Sequence, residues 1–208
     1  MSGLWLLMAL TMTGPEPLQE LLQEALARFE RLDGYRLTLR SEGPGGNQHL
    51  RYAYRKPGLV RMDVLSPHAG AVLIYSPYSE RIRLWPFGLR WPSLSLSPEH
   101  PLVISPRGHR VDRSDVGVLL QRMLQMQQAG QTLVQGEAQM AGRAVWHLVV
   151  RGPAGPNGVV RYELWLDRES WFPLKVVGSD SRGNRLETVW LEHIELNPAF
   201  PAHFFFPE

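Results

Sequence analysis

Apolar residues recur at spacings of three and four between positions 17 and 33: Leu18, Leu21, Leu22, Ala25, Leu26, Phe29 and Leu32. Gln19, Glu20, Gln23, Glu24 and Glu30 fill the opposite face, so the segment predicts an amphipathic helix that needs a cover. Pro17 suits its first turn, and Gly34 suits its end. From Tyr35 onward the period falls to two. Tyr35, Leu37 and Leu39 alternate with Arg36, Thr38 and Arg40; beyond a turn at 43–47, Leu50, Tyr52 and Tyr54 alternate with Arg51 and Arg55. That is the pattern of a hairpin. Val60, Met62 and Val64 continue it, and 70–75 and 81–85 predict two more strands.

Residues 86–113 break the rhythm with five prolines and predict a long irregular connection. Trp85, Phe87, Leu89 and Trp91 keep large apolar groups at every second position there, so this loop must cap a cavity or face a partner. Ser114 or Asp115 can cap a second helix carrying Val116, Leu119, Leu120, Met123 and Leu124 on one side, ended by Gly130. Strands follow at about 132–139, 143–151, 159–167, 173–180 and 185–195. Short turns between consecutive strands predict an antiparallel meander that curls toward a barrel. Val189-Trp190-Leu191 and Val145-Trp146 are apolar on both faces, which predicts a sheet covered on both sides, with the first helix as one cover.

Composition narrows the classes. A chain of 208 residues fits one domain with a sizeable core. Of its 22 basic residues only Lys56 and Lys175 are lysines, but 20 acidic residues offset them and the arginines are spread along the chain. No nucleic-acid partner is expected, because phosphate affinity needs clustered charge. The absence of cysteine excludes disulfides, thiolate chemistry and thiolate metal sites. Leu4–Leu10 followed by Thr11-Met12-Thr13-Gly14 reads as the apolar core and small-residue end of a signal peptide over residues 1–14, although no Lys or Arg precedes Arg28; the alternative is an apolar N-terminal segment that packs on the domain. Residues 15–208 then form the single domain.

Candidate chemistry is sparse. Gly43-Pro44-Gly45-Gly46 lacks the Lys of a phosphate loop, and neither H-E-x-x-H nor G-x-S-x-G occurs. His109 with Asp112 and Asp115 is the best metal candidate, but its loop is rich in arginine, so neither a metal nor another cofactor is expected. His147 and His193 could face each other on strands. Arg107, His109, Arg110 and Arg113 form the one basic cluster, read most simply as a solvated loop. No catalytic residues are assigned, and the chain is not expected to be an enzyme.

Three ordered segments carry a resemblance. They are Arg55-Lys56-Pro57-Gly58-Leu59-Val60-Arg61-Met62; the hairpin from Ala71-Val72-Leu73-Ile74-Tyr75 through Tyr78; and a carboxy-terminal run. That run comprises Leu164-Trp165-Leu166-Asp167, Phe172-Pro173-Leu174-Lys175, Ile194-Glu195-Leu196-Asn197 and Phe204-Phe205-Phe206-Pro207. In this order and spacing the chain resembles the LolA/LolB-like superfamily of periplasmic lipoprotein carriers and relatives. The resemblance implies a mainly β fold: an unclosed antiparallel barrel, or strongly curved sheet, with an N-terminal and a mid-chain helix over the open side. It also implies an apolar cavity that shelters acyl chains. In the carriers an Arg directly before the Pro helps to hold the helical lid; the matching position is Lys56, which keeps the charge but not the planar fork.

These readings combine into an expectation. The chain is a periplasmic, non-catalytic carrier for lipoprotein acyl chains or another lipid, and a monomer. The residues expected to line its cavity or lid are Leu50, Tyr52, Tyr54, Trp85, Phe87 and Trp91. The alternative is an envelope sensor or protein-interaction module on the same fold, binding a membrane-protein partner through residues 86–113. A lipid hydrolase is the third class, and no nucleophile–base pair supports it.

Overall fold

The computed structural model describes residues 17–89, 92–155 and 157–207. The reading of 1–14 as a signal peptide, and that of Trp91 as a cavity residue, lie outside the described residues. In chain order the elements are α1 (Pro17–Phe29), β1 (Gly34–Glu42), β2 (Gln48–Arg55), β3 (Leu59–Ser66), β4 (Val72–Ser76), β5 (Arg81–Trp85) and β6 (Leu94–Leu96). Then come α2 (Val116–Gln128), β7 (Gln131–Met140), β8 (Arg143–Arg151), β9 (Arg161–Asp167), β10 (Pro173–Ser179) and β11 (Arg185–Leu196). The predicted helices and strands are present. The irregular connection is not wholly irregular: Leu94–Leu96 pairs with β5, placing Ile82 opposite Leu96 and Leu84 opposite Leu94.

All eleven strands belong to one antiparallel sheet, ordered β6-β5-β4-β3-β2-β1-β11-β10-β9-β8-β7. Two meanders are thus joined where β1 pairs with β11, Leu39 opposite Leu191 and Arg40 opposite Trp190. β6 and β7 are the free edges, so the barrel is not closed. At about 4.8 Å per strand spacing, eleven strands span an arc of roughly 48 Å. Each helix has 13 residues, so it is about 20 Å long and about 10 Å across. Two such helices cannot cover the concave face.

What they do cover is densely aromatic. Tyr35 is buried at the centre, with ring centroids 5.8 Å from Tyr52, 5.3 Å from Tyr54, 5.0 Å from Phe172 and 6.1 Å from Phe29 of α1. Its hydroxyl accepts a hydrogen bond from the Val116 amide, 3.1 Å away, which ties the first turn of α2 to β1. Asp115 caps that helix by accepting from the Val118 amide at 3.1 Å. Gly117 lets α1 come close: a Cβ there would fall 2.4 Å from the Phe29 ring.

α1 supplies one of the two expected covers, and the convex face is covered without a helix. α1 lies on the concave side against α2 and β7. On the convex side Trp190 lies beneath the Arg40 guanidinium, 4.3 Å from the ring centroid, and near the Lys175 ammonium at 5.6 Å. Lys175 also sits over Trp165 at 4.7 Å, and Trp165 stacks on His147 at 4.3 Å. Long cationic side chains therefore screen the outward aromatics, as their apolar stems allow. His147 meets Trp165 rather than His193, because His147 and Trp165 are cross-strand partners. Phe200, Phe204 and Phe205 cover another stretch, packing on Ala53 and Leu59.

Replacing Tyr35 with Phe would strand the buried Val116 amide while keeping the ring. Tyr35→Phe is expected to cost about 1–3 kcal/mol of stability, measured by urea denaturation; an unchanged midpoint would show that α2 is not anchored there.

Candidate functional site, a lidded cavity on the concave face

Where the helices end, the concave wall is left open beneath the 101–113 segment. The result is a cavity of about 890 Å³, in the upper range of small-molecule sites. Its floor is apolar, from Leu39, Leu50, Met62, Val64, Leu73 and Leu84 on β1 to β5 and from Val176, Val189 and Leu191 on β10 and β11. Its cover is the 101–113 segment with Val118 and Leu119 of α2. Phe87, Leu94 and Leu102 border it and are exposed at 79, 40 and 64%.

The residues singled out in the sequence are distributed unevenly. Leu50, Tyr52 and Phe87 line the cavity. Tyr54 shares their strand face but lies one step further toward α1, where Phe29 covers it at 5.7 Å, so it belongs to the filled core. Trp85 is on the other face, buried with Val72 and Ile74. The alternation that put Trp85 and Phe87 together fails because β5 ends at Trp85 and the chain turns at Pro86–Gly88, with Gly88 at φ 86°. The Lys56 ammonium donates to the Glu30 carbonyl, at the carboxy-terminal end of α1. This is a cation at a helix C-terminus, where the dipole favours it.

The loop tip is latched by a cluster that the sequence did not reveal. Glu187 of β11 faces the cavity and pairs in register with Gly178 of β10, whose bare backbone lets Val159 and Tyr162 approach. Its carboxylate pairs with Arg107 Nε at 2.8 Å and His109 Nε2 at 2.6 Å, and accepts from Ser41 Oγ at 2.5 Å. Arg107 also donates to Ser41 Oγ and to the Gly46 carbonyl. Its side chain is only 8% exposed, so the solvated loop expected of the basic cluster holds for Arg113, at 72%, but not for Arg107. The tip itself is tight: the Gly108 amide donates to the Ser105 carbonyl, and Gly108 adopts φ 79°. Pro106 lies against Gly45, and Gly108 against Asn157.

The other polar groups are also engaged. Arg110 is held by Glu99 and Asp112, each at 2.7 Å. Asp115 caps α2, so His109, Asp112 and Asp115 do not assemble, and no metal-binding group of three or more acids and histidines occurs among the described residues. The Tyr52 hydroxyl lies 3.0 Å from Ser114 Oγ, which donates to the Val111 carbonyl. Burial pushes the Asp115 carboxyl above its usual range, only partly opposed by backbone amide donors from its helix turn. For Glu187 burial also acts upward, but the hydrogen bond and charge of His109, with Ser41 and Arg107, outweigh it and hold the carboxyl at about 2. A signal for this cluster did exist. Glu187 shares the parity of Val189 and Leu191, and an inward carboxylate on an apolar face needs partners.

No protein-family model and no curated protein matches the sequence. Solved structures do resemble the fold. LppX, a lipoprotein of Mycobacterium tuberculosis, matches with a TM-score of 0.58 at 12% identity, over 90% of this chain and 99% of its own. A chain of the Pseudomonas aeruginosa MucA/MucB complex matches with 0.57 at 18% identity over 91% of this chain, which spans 60% of that one. An uncharacterized conserved protein of Thermus thermophilus matches with 0.56 at 16% identity, over 88% of this chain and 91% of its own. At these identities the likeness is one of fold.

The latch predicts a pH dependence. The Glu187 carboxyl is depressed from 4.5 to about 2. Its contribution is therefore complete above about pH 4.5 and is lost as the pH falls toward 2. The shift corresponds to no more than roughly 3 kcal/mol. Denaturation of the wild type and Glu187→Gln at pH 7, 4 and 2.5 should show a stability difference that shrinks over that acid range. A gap independent of pH would contradict the latch.

Proposed function

We propose that this chain, whose fold is LolA-like, is a non-catalytic periplasmic carrier that shelters lipoprotein acyl chains or another lipid. The observation that supports it is the cavity of about 890 Å³, walled by the apolar floor of β1 to β5 and closed by a loop rather than by core. Burying hydrocarbon contributes roughly 0.8 kcal/mol per methylene, so ten methylenes supply about 8 kcal/mol. Association costs on the order of 4–15 kcal/mol. The net affinity of one chain is therefore modest, as cargo that must be handed on requires.

The exposed apolar rim of Phe87, Leu89, Leu94 and Leu102 favours a second reading, an envelope sensor or interaction module that docks a membrane-protein partner. The two readings differ in what enters the cavity.

The test is titration with a fluorescent fatty-acyl probe. Uptake should be saturable at about one probe per chain. Phe87→Glu, at a site too exposed to unfold the protein, should weaken it at least fivefold, and Leu73→Trp should reduce capacity by filling the floor. Trp85→Glu is a poor probe, because it burdens the buried convex cluster instead. Wild-type protein that takes up no probe, yet loses partner capture on Phe87→Glu, would establish the docking module in place of the carrier.

A further inference from the structure

The cavity wall is apolar over most of its surface, but its charges are unbalanced. Four arginines line it, Arg107, Arg110, Arg113 and Arg122, against two carboxylates, Asp115 and Glu187. Arg107 is neutralised by Glu187, and Arg110 by Glu99 and Asp112. Arg113 is 72% exposed, with Asp112 4.0 Å away. Arg122 differs from all three. It is half-buried on α2, on the same flank as Val118 and Leu119, and makes no ion pair with any described residue.

Its immediate neighbours are neutral polar groups, and the Glu187 carboxylate acts on Tyr162 through its charge but makes no ion pair with Arg122. The guanidinium lies against the Gly155 backbone, where a Cβ would fall 2.9 Å from Nη2. Beside it is the buried Tyr162 hydroxyl, whose proton is held mainly by desolvation; Arg122 pulls in the other direction. Asn157 completes this end of the wall. Asp115 is engaged elsewhere: it accepts from the Val118 amide as the cap of α2 and makes no ion pair with Arg122. A planar fork of donors is thus set at the polar end of a mostly apolar cavity, with no carboxylate among the described residues in ion-pair contact with it. Partial desolvation strengthens any charge-assisted hydrogen bond it makes.

We propose that the cavity selects amphiphiles with an anionic head group, a carboxylate or phosphate, which Arg122 and the Tyr162 hydroxyl receive while the hydrocarbon lies along the floor of β1 to β5. This rests on the carrier reading and adds the chemical class of its cargo. Arg122 orients the ligand, with its head at the α2 and 152–158 end and its tail toward the rim at Phe87.

The test is calorimetric titration of the full chain with dodecanoate, dodecyl phosphate, dodecanol and inorganic phosphate, each below its micelle concentration. Dodecanoate and dodecyl phosphate should bind about tenfold more tightly than dodecanol, and inorganic phosphate should not bind measurably. Arg122→Met should abolish the preference while dodecanol affinity stays within twofold, which also reports that the variant is folded. Arg122→Lys should keep part of the preference, and Tyr162→Phe should reduce it by a smaller factor. Equal wild-type affinity for dodecanoate and dodecanol, or a preference that survives Arg122→Met, overturns the head-group assignment and leaves the carrier standing. Inorganic phosphate binding as tightly as dodecyl phosphate makes the site one for free phosphate and overturns it too. If no dodecyl compound binds, the carrier reading falls and the assignment with it.

Discussion

An eleven-stranded sheet curled on itself presents more concave apolar surface than two 13-residue helices can bury. The rest of the molecule follows from that mismatch. Where α1 and α2 sit, Phe29, Tyr35, Tyr52, Tyr54 and Phe172 are buried against one another as core. Beyond them the same strand faces continue with Leu39, Leu50, Met62 and Leu73, and only one flank of α2, at Val118 and Leu119, reaches over them. A proline-rich loop closes the gap instead, and a loop cannot pack as a helix does because its backbone polar groups need partners of their own.

That requirement explains why the lid is fastened by charge. The buried carboxylate of Glu187, held by Arg107, His109 and Ser41, fixes the tip at a set height between the β1–β2 turn and the β8–β9 turn. A partly buried ionic cluster is directional where hydrophobic contact is not. The opposite side of the mouth, around Phe87 and Leu102, carries no such fastening and stays exposed. The 101–113 segment is thus held at its tip by the ionic cluster and beneath by Val103 and Val111, which are buried in the core, while Phe87 and Leu102 stay exposed.

Much of this architecture was legible in local pattern. The spacing of three and four from Leu21 to Phe29 and the alternation through Leu50, Tyr52 and Tyr54 specify α1 and β2, because burial of one face is a local property of the chain. The ordered Lys56-Pro57 and Leu164–Asp167 segments carried the resemblance to the curved-sheet carriers. What escaped were features set by distant pairing. Nothing near β1 announces that β11 lies beside it, and the latch joins Ser41, Arg107 and Glu187 from three remote segments. Trp85 was misplaced because alternation holds only while the strand continues, and the Pro86–Gly88 turn resets it. Nothing local to α2 marks Arg122; only the folded wall brings it beside Gly155 and Tyr162 with no carboxylate paired to it.

The central claim is that this concave space admits a hydrocarbon chain. A crystal structure of the protein soaked with a terminally brominated fatty acid tests it most directly, since anomalous scattering locates the tail without interpretation of weak density. The account predicts a bromine peak over the floor formed by Leu50, Met62 and Leu73, beneath the 101–113 segment. Bromine found only on the convex face, or side chains of the lid and floor meeting with no room between them, would contradict it.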